Sequence, residues 1–241
     1  QVYKIMEDVQ KIVLFNIFKS FNGLDVLKDI SLEVEEGEIV SIIGESGCGK
    51  TTLLKIIAGI LMPTSGKVDI DGMSENIGYV PQSLGLMPWR NVEKNILFPV
   101  EISGRQPAID IIDLIGLKGF EKYRIDQLSG GMQQRVAIGR AMVTMPKFLF
   151  LDEPFRSLDE LTRERMIKEM SEIWQKLNTT VILVTHSIRE SVFLSDRIVV
   201  LSPRPARVKD IINIDVSRPR NPDDVTLYHL ETRVRDILFC S

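Results

Sequence analysis

Two histidines, two cysteines and an aromatic content of 7% are what this 241-residue chain has least of, and each scarcity closes off a class of chemistry. Cys48 and Cys240 lie far apart and form no CxxC or metal-ligand spacing, so neither a disulfide framework nor a zinc site is expected. Lys and Arg total 30 against 33 Asp and Glu, a net charge of -3 with a pI near 5.6. That balance gives no general attraction to polyphosphate backbones, and nucleic acid is not an expected partner. Any anion site must be local. No apolar run approaches the roughly 18 to 20 residues needed to span a bilayer, and the opening "QVYKIMEDVQ" has neither an apolar signal core nor a small-residue cleavage site. A cytoplasmic protein is the expectation. Repeats and low-complexity tracts are also missing, apart from the Pro/Arg-rich "SPRPARV" and "SRPRNP".

What the chain does have is apolar mass: 44% hydrophobic and 26% charged residues over this length suit one large domain. "EIVSIIG" (38–44), "FLFLD" (148–152) and "TVILVTH" (180–186) are continuous apolar runs of strand length, the pattern of strands covered on both faces of a parallel sheet. Between Asp159 and Leu177, residues Met166, Ile167, Met170, Ile173, Trp174 and Leu177 form one apolar stripe on a charged background, which predicts an amphipathic helix. Strands alternating with helices are α/β architecture. "KIVLFNIFKSFNG", "LKDISLEVEEGE" and "SGKVDIDGMSENIGYV" alternate apolar and polar residues and carry turn signals, Asp71-Gly72 among them. An antiparallel sheet beside the parallel one is expected. From about 83 to 145 no buried strand is visible and turns fall at Gly104, Gly116 and Gly119. This stretch is read as a helical subdomain inserted in a core made of 1–82 and 146–241.

"GESGCGKTT" (44–52) fits G-x-x-x-x-G-K-[ST] between an apolar strand and the helix-like "TLLKIIAGI". Gly44 and Gly49 let the loop wrap, so that successive N–H groups across Ser46, Gly47, Cys48 and Gly49, and the helix start at Thr51 and Thr52, face a phosphate. Lys50 would bridge the outer phosphates and the Thr51 hydroxyl would hold Mg²⁺. A merely flexible turn is the plain alternative, and Cys48 either fills space or has a redox role. "FLFLDEP" (148–154) places Asp152 and Glu153 at the carboxyl end of a strand, where open α/β sheets put their ligands. Asp152 would complete the Mg²⁺ shell and Glu153 would polarise a water for in-line attack on a γ-phosphate, unless the two acids simply end the strand. In "LSGGMQQR" (128–135), Gly130 and Gly131 open a helix although each costs a helix interior roughly 1 kcal/mol relative to Ala.

In order and spacing these three segments resemble the nucleotide-binding subunits of ATP-binding cassette (ABC) transporters, from about Leu14 to Arg220. The resemblance implies a P-loop NTPase core, with a mixed parallel sheet, an N-terminal antiparallel sheet and an inserted α-helical subdomain. It also implies ATP and Mg²⁺ as cofactors, and an ATP-sandwiched dimer of two copies. In such a dimer Ser129, Gly130 and Gly131, with Gln133 among the nucleotide-contacting positions, press on the γ-phosphate held by the other copy. Bare glycine and the helix amino terminus favour that approach. Gln82 in "YVPQ" resembles the Q-loop glutamine that contacts Mg²⁺ and water. Asp159 in "SLD" matches the D-loop, and is equally a cap for the helix after it. His186 in "VTHS" matches the switch histidine, against the alternative of a satisfied core histidine. Phe21 matches the aromatic that stacks on adenine, with Phe18 a nearby competitor. His229 has no motif and is placed on the surface.

"LMPWRNVEKNI", "FRSLDELTR" and "SPRPARV" resemble ATPases of importers for nitrate, aliphatic sulfonates and taurine. That implies separate permease subunits, a solute-binding protein acting through them, and a place on the inner face of the cell membrane. Exporter or lipoprotein-release ATPases and soluble non-transport ABC ATPases are the competing classes. Trp89 and Arg90 would lie where a permease docks, or Trp89 belongs to the core of the helical insert. Roughly 40 residues follow "RIVVL", too few for a large appended regulatory domain. Three departures from the family pattern, Glu45 in the loop, Arg156 where related importers often carry glycine, and "YRIDQ" before the signature, are expected to touch no catalytic group.

Overall fold

The structure, a computed structural model, describes residues 11–70, 77–104, 107 and 110–239. Strands β1 (Ile12–Phe21) and β2 (Leu24–Val34) pair antiparallel across the two-residue Asn22-Gly23 turn. Ile12, Leu14 and Ile17 share one buried face with Ile30, Leu32 and Val34, as in a sheet covered on one side, with a register shift between Leu14 and Ile17 returning Ile17 to that face. β3 (Ile39–Ile43) opens a second sheet and runs through a loop into α1 (Lys50–Ile57). β4 (Ser65–Ile70) returns to the first sheet, whose order is β2-β1-β4.

The remaining elements follow in a mostly alternating series. β5 (Ile77–Val80) precedes four helices, α2 (Val92–Ile96), α3 (Phe98–Ser103), α4 (Ile111–Leu114) and α5 (Gly130–Met142). Then come β6 (Phe148–Asp152), α6 (Glu160–Leu177), β7 (Thr180–Val184), α7 (Ile188–Leu194), β8 (Arg197–Leu201), β9 (Val208–Asn213) and α8 (Val225–Phe239). The second sheet has the order β5-β6-β7-β3-β8-β9 and is parallel except for β9.

Every residue of β3, β6 and β7 is buried, and successive side chains leave on opposite faces. Phe148, Phe150, Ile182 and Val184 pack with Leu53 and Leu54 of α1 and with the first sheet. Leu149, Leu151, Val181 and Leu183 pack with Met166, Met170 and Trp174 of the predicted stripe on α6. Val92, Ile96, Ile115 and Val136 from the 83–145 stretch join that same cluster, so these helices share the apolar layer of the sheet. The expected turns fall at Gly104, Gly116 and Gly119.

Of "SGKVDIDGMSENIGYV", only β4 belongs to the antiparallel sheet, because β5 pairs in parallel with β6. A four-residue run fits either sheet, and its partner decides. Asp71-Gly72 and Cys240 lie outside the described residues. Nothing in the sequence signals β9 or α8. β9 buries only Ile212 and α8 only Leu227 and Val234, so neither has a strong apolar period.

"SRPRNP" proves to be a clamp. Buried Arg220 donates Nη1 to the carbonyls of Val192, Phe193 and Ser195 at 2.7–2.9 Å, and Nε to Val216 at 3.0 Å. Arg218 pairs with Asp196 and bonds the Leu194 carbonyl. The orphan carbonyls that end α7 are satisfied by guanidinium donors reaching back from the C-terminal segment. Burial brings Arg220 down to about 10, helped by the neighbouring charge of Arg218, and it stays cationic at neutral pH. Arg220→Ala strands these carbonyls and should lower unfolding free energy by about 2–4 kcal/mol. Denaturant midpoints followed by circular dichroism check this, and Arg220→Lys should recover only a minor part.

Candidate active site

Parallel pairing sets the levels at which the chain leaves the sheet. Ile42 and Asp152 both lie opposite Val184, so the 44–49 loop, the Asp152-Glu153 pair and the 185–187 turn emerge together at the carboxyl edge. The loop turns through a Cys48 N–H to Glu45 carbonyl bond of 3.3 Å. Gly49, with φ of 125°, lies against β2: a Cβ there would stand 2.9 Å from Leu27 Cδ2 and 3.0 Å from Val26 Cγ1. Cys48 is buried among apolar side chains, and burial raises its thiol pKa. Its role in the fold is to fill space. The side chain of Glu45 is turned outward into solvent, as its place in an anion loop requires.

The N-cap of α1 is Gly49, which brings no capping side chain, so the positive end of the helix dipole faces the loop. Lys50 is 6% exposed, and its ammonium donates to the carbonyls of Gly44 and Glu45 at 2.8 and 2.9 Å. The Thr51 hydroxyl donates to Asp152 Oδ1 at 2.9 Å. Burial raises the Asp152 pKa, the Thr51 bond opposes this, and the nearby charge of Glu153 adds to it. One hydroxyl and one carboxylate at the mouth of a phosphate loop fit Mg²⁺, a hard cation that takes few protein oxygens and completes its shell from water and phosphate. Among the described residues no group of three or more His, Cys, Asp or Glu could hold a metal by itself.

Glu153 leaves the sheet in a left-handed backbone conformation, φ 48°, at a cost of roughly 1–3 kcal/mol for a non-glycine residue. Its N–H still bonds the Val184 carbonyl at 2.8 Å, extending the ladder while turning the side chain into the cleft. The carboxylate is 14% exposed. Oε2 accepts from Gln82 Nε2 at 3.1 Å and from Arg156 Nη1 at 3.0 Å, and Oε1 lies 3.4 Å from His186 Nδ1. Arg156 therefore does touch the carboxylate singled out for catalysis, against the expectation that the departures would not. An i,i+3 contact across an irregular turn leaves no mark in sequence.

The turn holding His186 is fixed by residues that were not anticipated. Thr185 Oγ1 donates to buried Glu190 at 2.6 Å, accepts from the Ser187 N–H at 3.0 Å, and Ser187 Oγ caps α7. Burial raises the Glu190 pKa, with the Thr185 bond the chief opposing influence. Arg163 lies 3.7 Å from Glu190 and donates to the Phe155 and Leu158 carbonyls, tying the turn after Glu153 to the turn after β7.

A cleft of about 500 Å³ collects Phe21, Ser46, Gly47, Gly49, Lys50, Thr51 and Thr52 with Gln82, Glu153, Arg156 and Arg204. Phe21 is 42% exposed, with Lys19 Nζ 4.8 Å from its ring centroid, whereas Phe18 is not part of the lining. Arg204 arrives because the β8–β9 turn is stitched to β2 through Ala206 N–H to Val26 and Lys28 N–H to Ala206, both 2.9 Å. Ser129, Gly130, Gly131, Gln133 and Asp159 are not in this lining. Ser129 caps α5 by accepting from the Met132 N–H at 3.3 Å, and Gln133 donates to the Ile125 and Leu128 carbonyls. Asp159 caps α6 through the Thr162 N–H, which lowers its pKa. Trp89 is 77% exposed, which removes the core alternative, and His229 is exposed as expected.

The chain matches the family described as ABC transporter over residues 27–156. It is 45% identical over 244 residues to an uncharacterized ABC transporter ATP-binding protein of Methanocaldococcus jannaschii, covering 97% of this chain and 90% of the relative. It is 40% identical over 210 residues to a taurine import ATP-binding protein of Yersinia pestis, covering 83% and 82%. Among solved structures, a dimeric ATP-binding cassette in a post-hydrolysis state bound to ADP and Pi superposes with a TM-score of 0.75 at 29% identity, over 86% of this chain and all of the other.

The two adjacent glycines differ in what they face. A Cβ on Gly131 would stand 2.8 Å from Thr162 Cγ2, whereas one on Gly130 meets nothing nearer than the Ser157 carbonyl at 3.9 Å. Gly131→Ala should therefore cost about 1–3 kcal/mol of stability by overpacking, while Gly130→Ala should leave stability unchanged or raise it by up to about 1 kcal/mol. Urea denaturation of the two variants separates these outcomes.

Proposed function

The chain belongs to the ABC transporter family, and from that premise we propose that Lys50, Glu153, Gln82 and His186 carry out its ATP hydrolysis in a site shared between two copies. The protein binds ATP with Mg²⁺, hydrolyses it, and powers an importer of a small solute. Its cargo is of the taurine and sulfonate class, for which a relative is named. Competing exporter and soluble readings fit that relationship less well. Among the described residues no helix is long and apolar enough to cross a membrane. The protein acts on separate permease subunits at the inner face of the cell membrane, with Trp89 and Arg90 on the docking surface and a solute-binding protein upstream. It is one ABC ATPase domain in which 83–145 is the signature-bearing part.

The observation that carries the catalytic reading is the setting of Glu153: a carboxylate turned into the cleft opposite Lys50 and held by Gln82 and His186. Lys50 and the α1 amino terminus bind the phosphates, Phe21 stacks on the base, and Glu153 takes the proton of the attacking water. Thr51, Asp152 and Gln82 would hold Mg²⁺, which when bound would neutralise charge on the outer phosphates. Ser46, Gly47, Cys48, Gly49 and Thr52 contribute backbone or hydroxyl donors. The outward position of Ser129 and Gly130, away from the cleft of their own chain, supports their action on nucleotide held by a second copy, with Gln133 shaping their loop and Asp159 beside them.

Glu153→Gln should retain ATP binding and lose turnover by at least about 100-fold, as read by phosphate release beside equilibrium nucleotide binding; near-normal turnover would remove Glu153 as the base. Ser129→Arg should leave ATP affinity of the single copy intact yet abolish the ATP-dependent dimer on size-exclusion chromatography.

A further inference from the structure

We propose that Arg156 is a γ-phosphate-reading latch on Glu153: it holds the carboxylate while the cleft is open to solvent and exchanges that partner for the terminal phosphate of ATP. The proposal rests on the ATPase reading above and concerns what releases the base.

Three side chains converge on Glu153, and two of them, Gln82 and Arg156, occupy the same oxygen, Oε2, at 3.1 and 3.0 Å. With His186 Nδ1 at 3.4 Å from Oε1, three donors share the carboxylate's roughly four lone-pair sites, both sites on Oε2 are taken, and a general base must present a lone pair to water. Of the three donors only Arg156 carries a permanent charge. Its side chain is 59% exposed, against 14% for Glu153, so the guanidinium is free to turn toward an incoming ligand. Glu153 is the only side-chain partner of its guanidinium among the described residues.

Arg156 lines the same cleft as Gly47, Lys50 and Thr51, the residues of the phosphate loop. A guanidinium matches phosphate oxygens with paired donors, and a terminal phosphate carries more charge than a carboxylate. Entry of a triphosphate thus offers Arg156 a stronger acceptor within side-chain reach. Its departure leaves Glu153 oriented by Gln82 and His186 with one position on Oε2 open to water. A diphosphate ends one phosphate short and gives no reason to exchange. The turn holding Arg156 does not need to move, because Arg163 fixes it through the Phe155 and Leu158 carbonyls; the side chain alone makes the switch.

The test is equilibrium binding of adenylyl imidodiphosphate and of ADP, each with Mg²⁺, to wild-type, Arg156→Ala and Arg156→Lys protein, with steady-state ATP hydrolysis on the same samples. The latch requires Arg156→Ala to weaken the triphosphate analogue by about tenfold while ADP affinity stays within about twofold, and Arg156→Lys to recover part of the loss. In hydrolysis the KM for ATP rises and kcat is maintained or increased. Equal weakening of both nucleotides, or no change in either, overturns the proposal. So does a fall in kcat at constant KM, which would make Arg156 a positioning residue for Glu153. A wild-type chain that binds neither nucleotide would instead overturn the ATPase reading itself, and the two failures are told apart by the wild-type measurement.

Discussion

Everything in the cleft depends on the register of three parallel strands. β3, β7 and β6 are locked side by side because both faces of each are apolar and alternate residues belong to different layers, Phe148 and Phe150 to one, Leu149 and Leu151 to the other. A slip of one residue would exchange the layers and point Asp152 away from Thr51. The apolar packing that stabilises the sheet is therefore also what sets an oxygen-to-oxygen distance of 2.9 Å between a loop hydroxyl and a carboxylate. Hydrolytic geometry here is a by-product of core packing, with the left-handed turn at Glu153 adding local strain to it.

The electrostatics follow a similar division between whole and part. A chain with a net charge of -3 has no long-range pull on polyanions, yet Lys50, Arg156 and Arg204 all open into one cleft. Lys50 is held by loop carbonyls and Arg156 by a carboxylate, so two of these cations are balanced locally in the free protein. Attraction for nucleotide is then short-ranged, effective once phosphate has entered the loop and weakly sensitive to the rest of the surface.

The strand-ending motifs were legible because each couples a continuous apolar run to residues whose chemistry is narrow: "SIIG" to Lys50 and Thr51, "FLFLD" to Glu153, "VTH" to His186. The stripe on α6 was equally plain, since six apolar residues at helical spacing leave little choice. Contacts between distant or irregular segments were not legible. β5 has four residues and takes its sheet from its neighbour, and β9 and α8 bury one and two residues, so periodicity has little to register. Arg156 looked like a harmless departure because its meaning lies in a side-chain contact across a turn, and Arg204 carries no signal at all because its loop is brought to the cleft by backbone bonds to β2. Glu190 and Arg163 are common surface residue types that happen to be packed inward, and no motif marks them.

The two glycines in "LSGGMQQR" divide the labour between neighbours in space. Gly130 is open, but Gly131 lies flush against Thr162, the residue whose N–H Asp159 caps. The start of α5 and the start of α6 thus meet closely, the bare backbone of Gly131 against the methyl group of Thr162. A tilt of α5 would press Gly131 on Thr162, whose N–H Asp159 caps, so a movement of the exposed edge at Ser129 has a short route to the acidic cap. Two surface features separated by about 30 residues of chain are neighbours in space, joined through one glycine.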